Sequence, residues 1–345
     1  MSTVFDNRDS GESSPHALLS VRDLKVYFQG RHMTLGAKTF IKAVDGVSFD
    51  IPKGETLALV GESGCGKTTT ARSIVRLVEP TSGSIVFEDF DIAGLRKGEL
   101  KDYRRRVQFV FQDPYESLNP RQRIFDALAT PIRIHHLAST RSELSKQVYD
   151  LLLDVNLEPR LTCGKFPHEL SGGQRQRVNI ARALATKPEL IIADEPVSML
   201  DVSLRMGVLS LLEHLRKTRG LTFLFITHDM AAARQITNRI AVMYLGKIVE
   251  LGDADSIIGH PIHPYSKLVV EATPTIELDK GDLTGNQELD SSDTDAITSA
   301  QQLPPGCRFQ PRCKFAIEKC KTIEPPLLER RPRQMAACDV VSVEN

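Results

Sequence analysis

The fold is decided by one short stretch of the sequence, Gly61-Glu62-Ser63-Gly64-Cys65-Gly66-Lys67-Thr68. The apolar residues 56–60 before it predict a buried strand, and the helical spacing of residues 67–78 predicts a helix after it. Between a strand and a helix, the pattern G-x-x-x-x-G-K-[ST] predicts a phosphate-binding loop. Glycines allow backbone N–H groups to approach phosphate oxygens closely, and the helix N-terminus adds a partial positive charge.

A second segment supplies the carboxylates that such a site needs. Residues 190–193 form an apolar run that leads into Asp194 and Glu195. Lys67 is expected to reach the β- and γ-phosphates of a nucleotide, and Thr68 and Asp194 are expected to hold Mg²⁺. Glu195 is expected to polarise the attacking water as general base. Taken alone, the first segment could be a chance glycine-rich turn, and the second could be a solvated acidic end of a strand. Their combination favours ATP binding and hydrolysis, with the binding set Gly61, Glu62, Ser63, Gly64, Cys65, Gly66, Lys67, Thr68 and Thr69.

The composition is that of a globular protein with room for one large domain and an appendage. The chain has 345 residues, of which 41% are hydrophobic and 26% charged. Lys plus Arg and Asp plus Glu both total 44, so no excess charge favours nucleic acid or an anionic membrane surface. No stretch approaches the roughly 20 apolar residues needed to cross a bilayer, and the N-terminus lacks an apolar signal-peptide core. We therefore expect a cytoplasmic protein that reaches any membrane through another protein.

The order of patterns divides the chain into three parts. Residues 1–16 are polar and predict a flexible leader. Residues 17–255 contain apolar, β-rich runs separated by helix-like segments, which is typical of a parallel sheet with crossover helices. Within this part, residues from about 113 to 175 predict a helical subdomain with an apolar face formed by Leu144, Val148, Leu151, Leu152 and Val155. Residues 256–345 form a C-terminal region, in which an acidic, Ser/Thr-rich insertion at 276–303 precedes a short cysteine-containing tail.

A further motif indicates a family. The segment before a predicted helix and ahead of the Asp-Glu strand reads Leu170-Ser171-Gly172-Gly173-Gln174, which is the signature sequence of ABC ATPases. From Leu18 onward the chain resembles that family. The resemblance implies an α/β fold of the P-loop NTPase (RecA-like) class, with an ABC ATPase core, a helical subdomain and, here, a small Cys-rich C-terminal tail. Three more motifs follow in family order, around Gln112, Asp201 and His228.

The resemblance also implies a role for each of these residues. Gln112 senses the γ-phosphate and contributes to the Mg²⁺ site, while His228 contacts the γ-phosphate and orients Glu195. Asp201 communicates across a dimer. An aromatic residue near the first strand stacks on adenine, for which the register favours Phe28 and leaves Tyr27 as the alternative. In the family, two chains lie head to tail, so that the signature segment of each chain completes the ATP site of the other.

Several segments narrow the branch of the family. The sequences AVDGVSF at 43–49, DPYESLNPR at 113–121 and HPIHPY at 260–265 resemble the oligopeptide/dipeptide importer ATPases. GQRQR at 173–177 and DEPVS at 194–198 are similar to the second ATPase of each importer. The resemblance implies a partner ATPase in a heterodimer, two transmembrane permease subunits and, indirectly, an extracytoplasmic solute-binding protein, with no nucleic acid. The chain would then power peptide import from the cytoplasmic face of the membrane, although relatives also carry nickel chelates, glutathione and oligosaccharides.

The tail carries a cysteine cluster, Cys307, Cys313, Cys320 and Cys338. Four thiols within about thirty residues of a tail with little apolar material predict one metal centre that substitutes for a core. A tetrahedral four-sulfur site suits Zn²⁺ or an iron–sulfur cluster, and the spacing lacks the close C-x₂-C pairs of common sites of either kind. Similarity to the cysteine motif of the importer branch favours [4Fe-4S]. Four unrelated thiols are the alternative.

Two other functions fit parts of the sequence. A soluble ABC ATPase in translation or DNA repair would share the ATP motifs, but such proteins usually carry two cassettes or a long coiled coil, and this chain has neither. The tail could also be an independent metal-binding interaction module with ATP hydrolysis secondary. Co-purification with membrane subunits distinguishes the transporter from the soluble ATPase, and deletion of the tail tests the interaction module.

Overall fold

Two β-sheets frame the part of the chain that the computed structural model describes, residues 17–30, 40–113, 117–273 and 303–340. A four-stranded antiparallel sheet has the order β2-β1-β4-β5, and an eight-stranded sheet has the order β11-β12-β10-β9-β3-β8-β7-β6. The strands are β1 (Ala17–Gln29), β2 (Phe40–Pro52), β3 (Thr56–Val60), β4 (Ser82–Phe87), β5 (Phe90–Asp91), β6 (Val107–Val110), β7 (Leu190–Asp194), β8 (Thr222–Thr227), β9 (Arg239–Tyr244), β10 (Lys247–Asp253), β11 (Leu328–Arg331) and β12 (Gln334–Ala336).

Helices pack on these sheets, and the helices that lie between β6 and β7 in the sequence form a separate layer. They are α1 (Lys67–Ile74), α2 (Lys97–Arg106), α3 (Ile124–Ile134), α4 (Arg141–Asp154), α5 (Pro159–Thr162), α6 (Gly172–Leu184), α7 (Val202–Arg219), α8 (Met230–Ile236), α9 (Ala254–Gly259), α10 (Pro264–Glu271) and α11 (Glu318–Thr322). Short 3₁₀ turns occur at Ile92–Gly94, Pro167–Glu169 and Gln310–Arg312.

The parallel part of the large sheet places the sequence motifs at one edge. Strands β9, β3, β8, β7 and β6 are mutually parallel, with Val60 paired to Thr227 and Asp194 paired to Ile226. Strands β3, β7 and β8 are buried along their whole length, so their sequences are nearly continuous apolar runs rather than alternating ones. The predicted strands at 56–60 and 190–193 and the parallel α/β sheet are therefore confirmed. Because parallel strands end at the same edge, the loops that follow them converge there.

The helical layer has its own core. Leu144, Val148, Leu151 and Leu152 lie on the buried face of α4, as the heptad-like spacing predicts. They belong to a hydrophobic cluster that also includes residues of α3, α6 and α7. A second cluster fills the space between the four-stranded sheet, α1 and the large sheet. The helical layer is thus packed onto the edge of the large sheet that ends in β6 and β7.

The C-terminal region is joined to the large sheet. Strand β10 pairs antiparallel with β9, and the tail hairpin β11–β12 extends the sheet by pairing Glu250 of β10 with Ala336 of β12. Phe309 of the tail is buried in a cluster with Tyr244 and Tyr265. The predicted leader at 1–16 and residues 276–302 of the predicted insertion lie outside the described residues.

Candidate nucleotide site

The glycine-rich loop joins β3 to α1 and approaches neighbouring backbone closely. A Cβ atom on Gly61 would lie 2.1 Å from the carbonyl oxygen of Met243, and one on Gly66 would lie 2.2 Å from that of Ala43. Gly66 also has φ of 107°, a conformation that side chains other than glycine rarely adopt. The Lys67 ammonium donates to the carbonyl oxygens of Gly61 and Glu62, at 2.7 and 2.8 Å. The loop therefore folds around its own lysine, whose cationic end lies at the site where phosphate would bind.

A hydroxyl and a carboxylate lie beside the loop. Thr68, in the first turn of α1, donates from Oγ1 to Oδ1 of Asp194 at 3.1 Å. Asp194 is buried at the end of β7, and this burial raises the pKa of its carboxyl group, with the nearby charge of Glu195 adding to the effect and the Thr68 hydrogen bond opposing it. Two hard oxygen donors at this position suit Mg²⁺, which favours a carboxylate together with phosphate oxygens.

Three polar side chains from different loops meet above the sheet edge. The amide of Gln112 donates to Oε2 of Glu195 at 3.1 Å, and Nδ1 of His228 lies 3.3 Å from Oε1 of the same carboxylate. Glu195 has φ of 46°, in the left-handed region that non-glycine residues occupy at some energetic cost. This backbone turn directs the Glu195 carboxylate away from the strand. The N–H of Glu195 donates to the carbonyl oxygen of Ile226 at 2.9 Å. The arrangement gives a carboxylate with two polar neighbours that can orient it toward a water molecule.

These groups, with the exception of Asp194, line a common cleft of about 630 Å³. Its walls include Gly61, Glu62, Ser63, Gly64, Gly66, Lys67, Thr68, Thr69, Gln112, Glu195 and His228. The structure thus brings together most of the residues predicted for the ATP site. The cleft also has an apolar wall that sequence reasoning missed, formed at the end of α10 by Leu268, Val269, Ala272 and Thr273. These residues carry no recognisable motif, so only their position in the fold identifies them.

Some predicted residues lie elsewhere. Cys65 is buried beneath the loop and does not line the cleft, and burial raises the pKa of its thiol. Phe28 is 41% exposed on β1 and is also absent from the cleft wall. The Tyr27 hydroxyl donates to Asp45, and burial together with this hydrogen bond raises the pKa of Tyr27 to about 12. The tyrosine is therefore engaged with Asp45, whereas the ring of Phe28 is accessible at the surface.

The signature segment and Asp201 also lie outside the cleft of their own chain. Ser171 caps α6, because its hydroxyl accepts from the N–H of Gln174 at 3.3 Å while the Gln174 side chain accepts from the N–H of Ser171 at 3.1 Å. Leu170 is buried, and Gly172 and Gly173 form the first turn of the helix. Asp201 caps α7 by accepting from the N–H of Leu204 at 3.3 Å. Both segments are ordered by helix capping.

The four tail cysteines share one cavity. Cys307, Cys313, Cys320 and Cys338 all line it, and each is a free thiol. Burial raises the pKa of Cys307 and of Cys313, so these sulfurs are neutral thiols unless a cation holds them as thiolates. Within the described ranges, no three His, Cys, Asp or Glu side chains are grouped closely enough to hold a metal ion. The four thiols therefore share a cavity without forming such a group.

Comparison with known proteins gives the family. Residues 44–198 match the model for the ABC transporter family, and residues 249–320 match the model for the oligopeptide/dipeptide transporter C-terminal region. A probable peptide ABC transporter ATP-binding protein of Sinorhizobium fredii is 44% identical, with 92% of this chain and 89% of that protein covered. The chain belongs to this family of ABC transporter ATP-binding proteins. It is an ATPase subunit whose hydrolysis of ATP powers a transporter.

Other relatives agree. The oligopeptide transport ATP-binding protein AppF of Bacillus subtilis is 42% identical, with 96% of this chain and 99% of that protein covered. A dimeric structure of the ATP-binding cassette MJ0796 bound to ADP and phosphate has a TM-score of 0.61 and 30% identity, covering 68% of this chain and 98% of that one. The cbiO1 cassette of Clostridium perfringens has a TM-score of 0.60 and 27% identity, covering 71% of this chain and 92% of that one. The predicted ABC ATPase fold is therefore confirmed. In the part of the chain that the structure describes, none of the helices combines the length and the apolar character that a membrane span requires.

Proposed function

We propose that this chain powers the import of di- or oligopeptides, or of a related small solute, as one of two different ATPases docked on two permease subunits at the cytoplasmic face of the membrane. The observation that carries the proposal is the match of residues 249–320 to the oligopeptide/dipeptide transporter C-terminal region, next to a complete set of ATP motifs. Relatives that cover most of the chain are named as peptide or oligopeptide transport proteins. In this proposal the ATPase domain spans 17–255, with the helical subdomain at about 113–175, and the C-terminal region spans 256–345.

The cleft supports a specific division of labour in ATP hydrolysis. Lys67 and the loop N–H groups bind the phosphates, and Thr68 and Asp194 hold Mg²⁺ through hard oxygen atoms. When bound, Mg²⁺ neutralises charge on the phosphate oxygens. Glu195 accepts a proton from the attacking water, while Gln112 and His228 hold its carboxylate in position. The proposed adenine-stacking residue is Phe28, whose ring is exposed on β1.

The proposed pair of chains explains the location of the signature segment. Leu170, Ser171, Gly172, Gly173 and Gln174 do not line the cleft of their own chain, yet Ser171 and the glycines open a helix whose N-terminus favours anions. The related cassette MJ0796 is dimeric in its ADP and phosphate complex. We propose that the signature segment binds the γ-phosphate in the partner's site and that Asp201 carries the coupling between the two sites.

Transport by the assembled complex tests this function. The chain is co-expressed with the neighbouring ATPase and permease genes, and the purified complex is reconstituted in lipid with the cognate solute-binding protein. Peptide-loaded binding protein is expected to stimulate ATP hydrolysis and peptide uptake, and Glu195→Gln serves as the matched inactive complex. Failure to assemble with permease subunits, or stimulation only by a non-peptide ligand, would contradict the corresponding part of the proposal.

We also propose that Cys307, Cys313, Cys320 and Cys338 hold a [4Fe-4S] cluster with a structural role. The convergence of four unpaired thiols on one cavity supports this donor set. Zn²⁺ held by the same four thiols is the alternative. Anaerobic purification followed by iron, sulfide and zinc analysis decides between the two. Cys313→Ser is expected to lose the cluster, while Cys163→Ser, outside the cavity, retains it. Stoichiometric zinc without iron would reject the cluster.

A further inference from the structure

The cysteine-bounded turn of the tail, residues 307–313, lies against the phosphate loop. The turn is closed by hydrogen bonds from the N–H of Gln310 to the carbonyl of Cys307 at 3.0 Å and from the N–H of Cys313 to the carbonyl of Gln310 at 3.2 Å. Two arginines project from this turn, Arg308 near its start and Arg312 near its end. Each of them contacts a different part of the structure that supports the loop.

Arg312 contacts the loop directly. One nitrogen of its guanidinium lies 3.0 Å from both carboxylate oxygens of Glu62, the second residue of the phosphate loop. The same guanidinium lies over the rings of Tyr244 and Phe309, with centroid distances of 5.8 and 5.7 Å. These rings restrict where the arginine can go, so the ion pair fixes Glu62 more tightly than a freely moving surface pair would.

The backbone of Glu62 is fixed as well. Its N–H donates to the hydroxyl oxygen of Tyr265 at 3.0 Å, and its carbonyl accepts from Lys67 at 2.8 Å. Tyr265 is fully buried and packs against Phe309 of the same turn, with a centroid distance of 5.5 Å. The N–H, the carbonyl and the carboxylate of Glu62 are thus all occupied, and two of these three contacts come from the C-terminal region.

Arg308 acts on the loop indirectly. It is buried, with 6% exposure, and donates to the carboxylate of Asp45 and to the carbonyl oxygen of Leu245. Gly246 follows Leu245 in the sequence. Its N–H donates to the carbonyl of Cys65 at 2.8 Å, and its carbonyl accepts from the N–H of Asp45 at 2.9 Å. Two hydrogen bonds, connected through the backbone of residues 245–246, therefore join Arg308 to Cys65 in the middle of the phosphate loop.

We propose that the cysteine-bounded turn positions the phosphate loop through Arg312 and Arg308, so that nucleotide affinity depends on the integrity of the cysteine site. Arg312 and Tyr265 contact the loop at Glu62, and Arg308 acts on it through the backbone of residues 245–246, so all three are positioning residues. Their contacts hold the loop in one conformation before the phosphates arrive, which reduces the ordering cost of binding. The link to the four cysteines rests on the proposed cysteine centre, whereas the contacts of the arginines stand without it.

Charge reversal at Arg312 tests the direct contact. The affinity of the purified full-length chain for Mg²⁺-ADP is measured by calorimetry for Arg312→Glu, for Glu62→Gln and for the double variant. Arg312→Glu is expected to weaken binding about fivefold to tenfold, because two carboxylates then repel each other beside the loop. In the Glu62→Gln background the same change should cost less than about twofold, because the repelling charge is gone.

A matched control separates positioning from general damage. Arg333 is another tail arginine, and its guanidinium forms an ion pair with Asp253 of β10 at 3.1 Å, away from the loop. Arg333→Glu removes this ion pair. The control is expected to leave ADP affinity within about twofold of wild type. The unfolding temperatures of all variants are compared to detect general damage to the fold. The proposal is overturned if Arg312→Glu binds ADP normally. It is also overturned if the loss is the same with and without Glu62, because that would indicate direct repulsion of the phosphates.

The cysteine arm is measured separately. Cys313→Ser is expected to weaken ADP binding about threefold or more, while Cys163→Ser, at a cysteine outside the tail cavity, is expected to have no effect. Normal ADP affinity in folded Cys313→Ser overturns the dependence on the cysteine site. Iron and sulfide content of the wild-type chain is a different readout. If iron is absent and the coupling between Arg312 and Glu62 is still found, the proposed cluster fails and the positioning role of the turn stands.

Discussion

The phosphate loop and the signature segment both lead into the first turn of a helix, but their surroundings differ. The loop is enclosed by its own chain, since backbone oxygens of Ala43 and Met243 would lie within 2.2 Å of a Cβ on Gly66 or Gly61. The signature segment is ordered by the reciprocal hydrogen bonds of Ser171 and Gln174 and does not line the nucleotide cleft of its own chain. A finished cradle inside the chain and a capped helix start outside the cleft are what a site shared between two chains requires.

The largest effect is expected from the group that performs the chemistry beside the loop. Glu195→Gln should lower ATP hydrolysis by the assembled transporter by about 10²-fold or more, because the amide keeps the shape of the side chain and loses the base. ATP binding should persist and should trap the ATP-bound pair of chains, detected by size-exclusion chromatography. Near-normal turnover of the reconstituted variant would remove Glu195 from its role and weaken the contrast between the two segments.

Lys67→Ala tests whether the loop alone provides most of the affinity for nucleotide. Loss of a charged hydrogen-bond donor at the phosphates should weaken ATP binding about 10- to 100-fold in the isolated chain. Isothermal titration of the purified variant gives the affinity directly. Unchanged affinity would mean that the lysine serves to close the loop on Gly61 and Glu62 and not to bind phosphate.

Gly66→Ala tests the enclosure of the loop. The new Cβ would be 2.2 Å from the carbonyl oxygen of Ala43, and φ of 107° is strained for alanine. Because backbone rather than a flexible side-chain end blocks the space, we expect a loss of about 2 to 3 kcal/mol in the free energy of unfolding. Denaturant unfolding of the purified chain measures it. A loss below about 0.5 kcal/mol would show that the loop can shift to accept a side chain.

Much of the loop could be predicted from sequence because its parts are contiguous. A strand, a glycine-rich turn and a helix within residues 56–78 identify themselves by local pattern, and parallel strands then bring Asp194 and His228 to the same edge. The contacts of Glu62 with Tyr265 and Arg312 could not be predicted in this way, because 203 and 250 residues separate the partners. Nothing in the sequence near Arg312 indicates its distant partner. The apolar wall at Leu268 was missed for the same reason.

Ser171→Asp addresses the signature segment without removing its helix cap. Aspartate caps helices as well as serine does, so the fold of α6 and ADP binding by the isolated chain should be unaffected. In the assembled transporter the added charge would face the partner's phosphates, and we expect ATP hydrolysis to fall about tenfold. The comparison of the isolated chain with the complex is the control. Full activity in the complex would mean that Ser171 does not approach the partner's nucleotide.

The smallest effect is expected at Gly173, the counterpart of Gly66 in the signature segment. The three atoms nearest to a Cβ there all belong to the side chain of Leu204, the closest at 3.3 Å, and the residue is helical, so no backbone strain arises. Alanine also favours the helix over glycine by about 1 kcal/mol, which offsets the slight displacement of Leu204. We therefore expect the free energy of unfolding of Gly173→Ala to lie within about 1 kcal/mol of wild type, measured by the same denaturant titration as Gly66→Ala. ATP hydrolysis in the assembled complex could nevertheless fall while stability and ADP binding are unchanged. In that case the second chain, and not this one, must exclude the methyl group of the alanine. Equal destabilisation by the two substitutions would contradict the distinction between an enclosed loop and an open helix start.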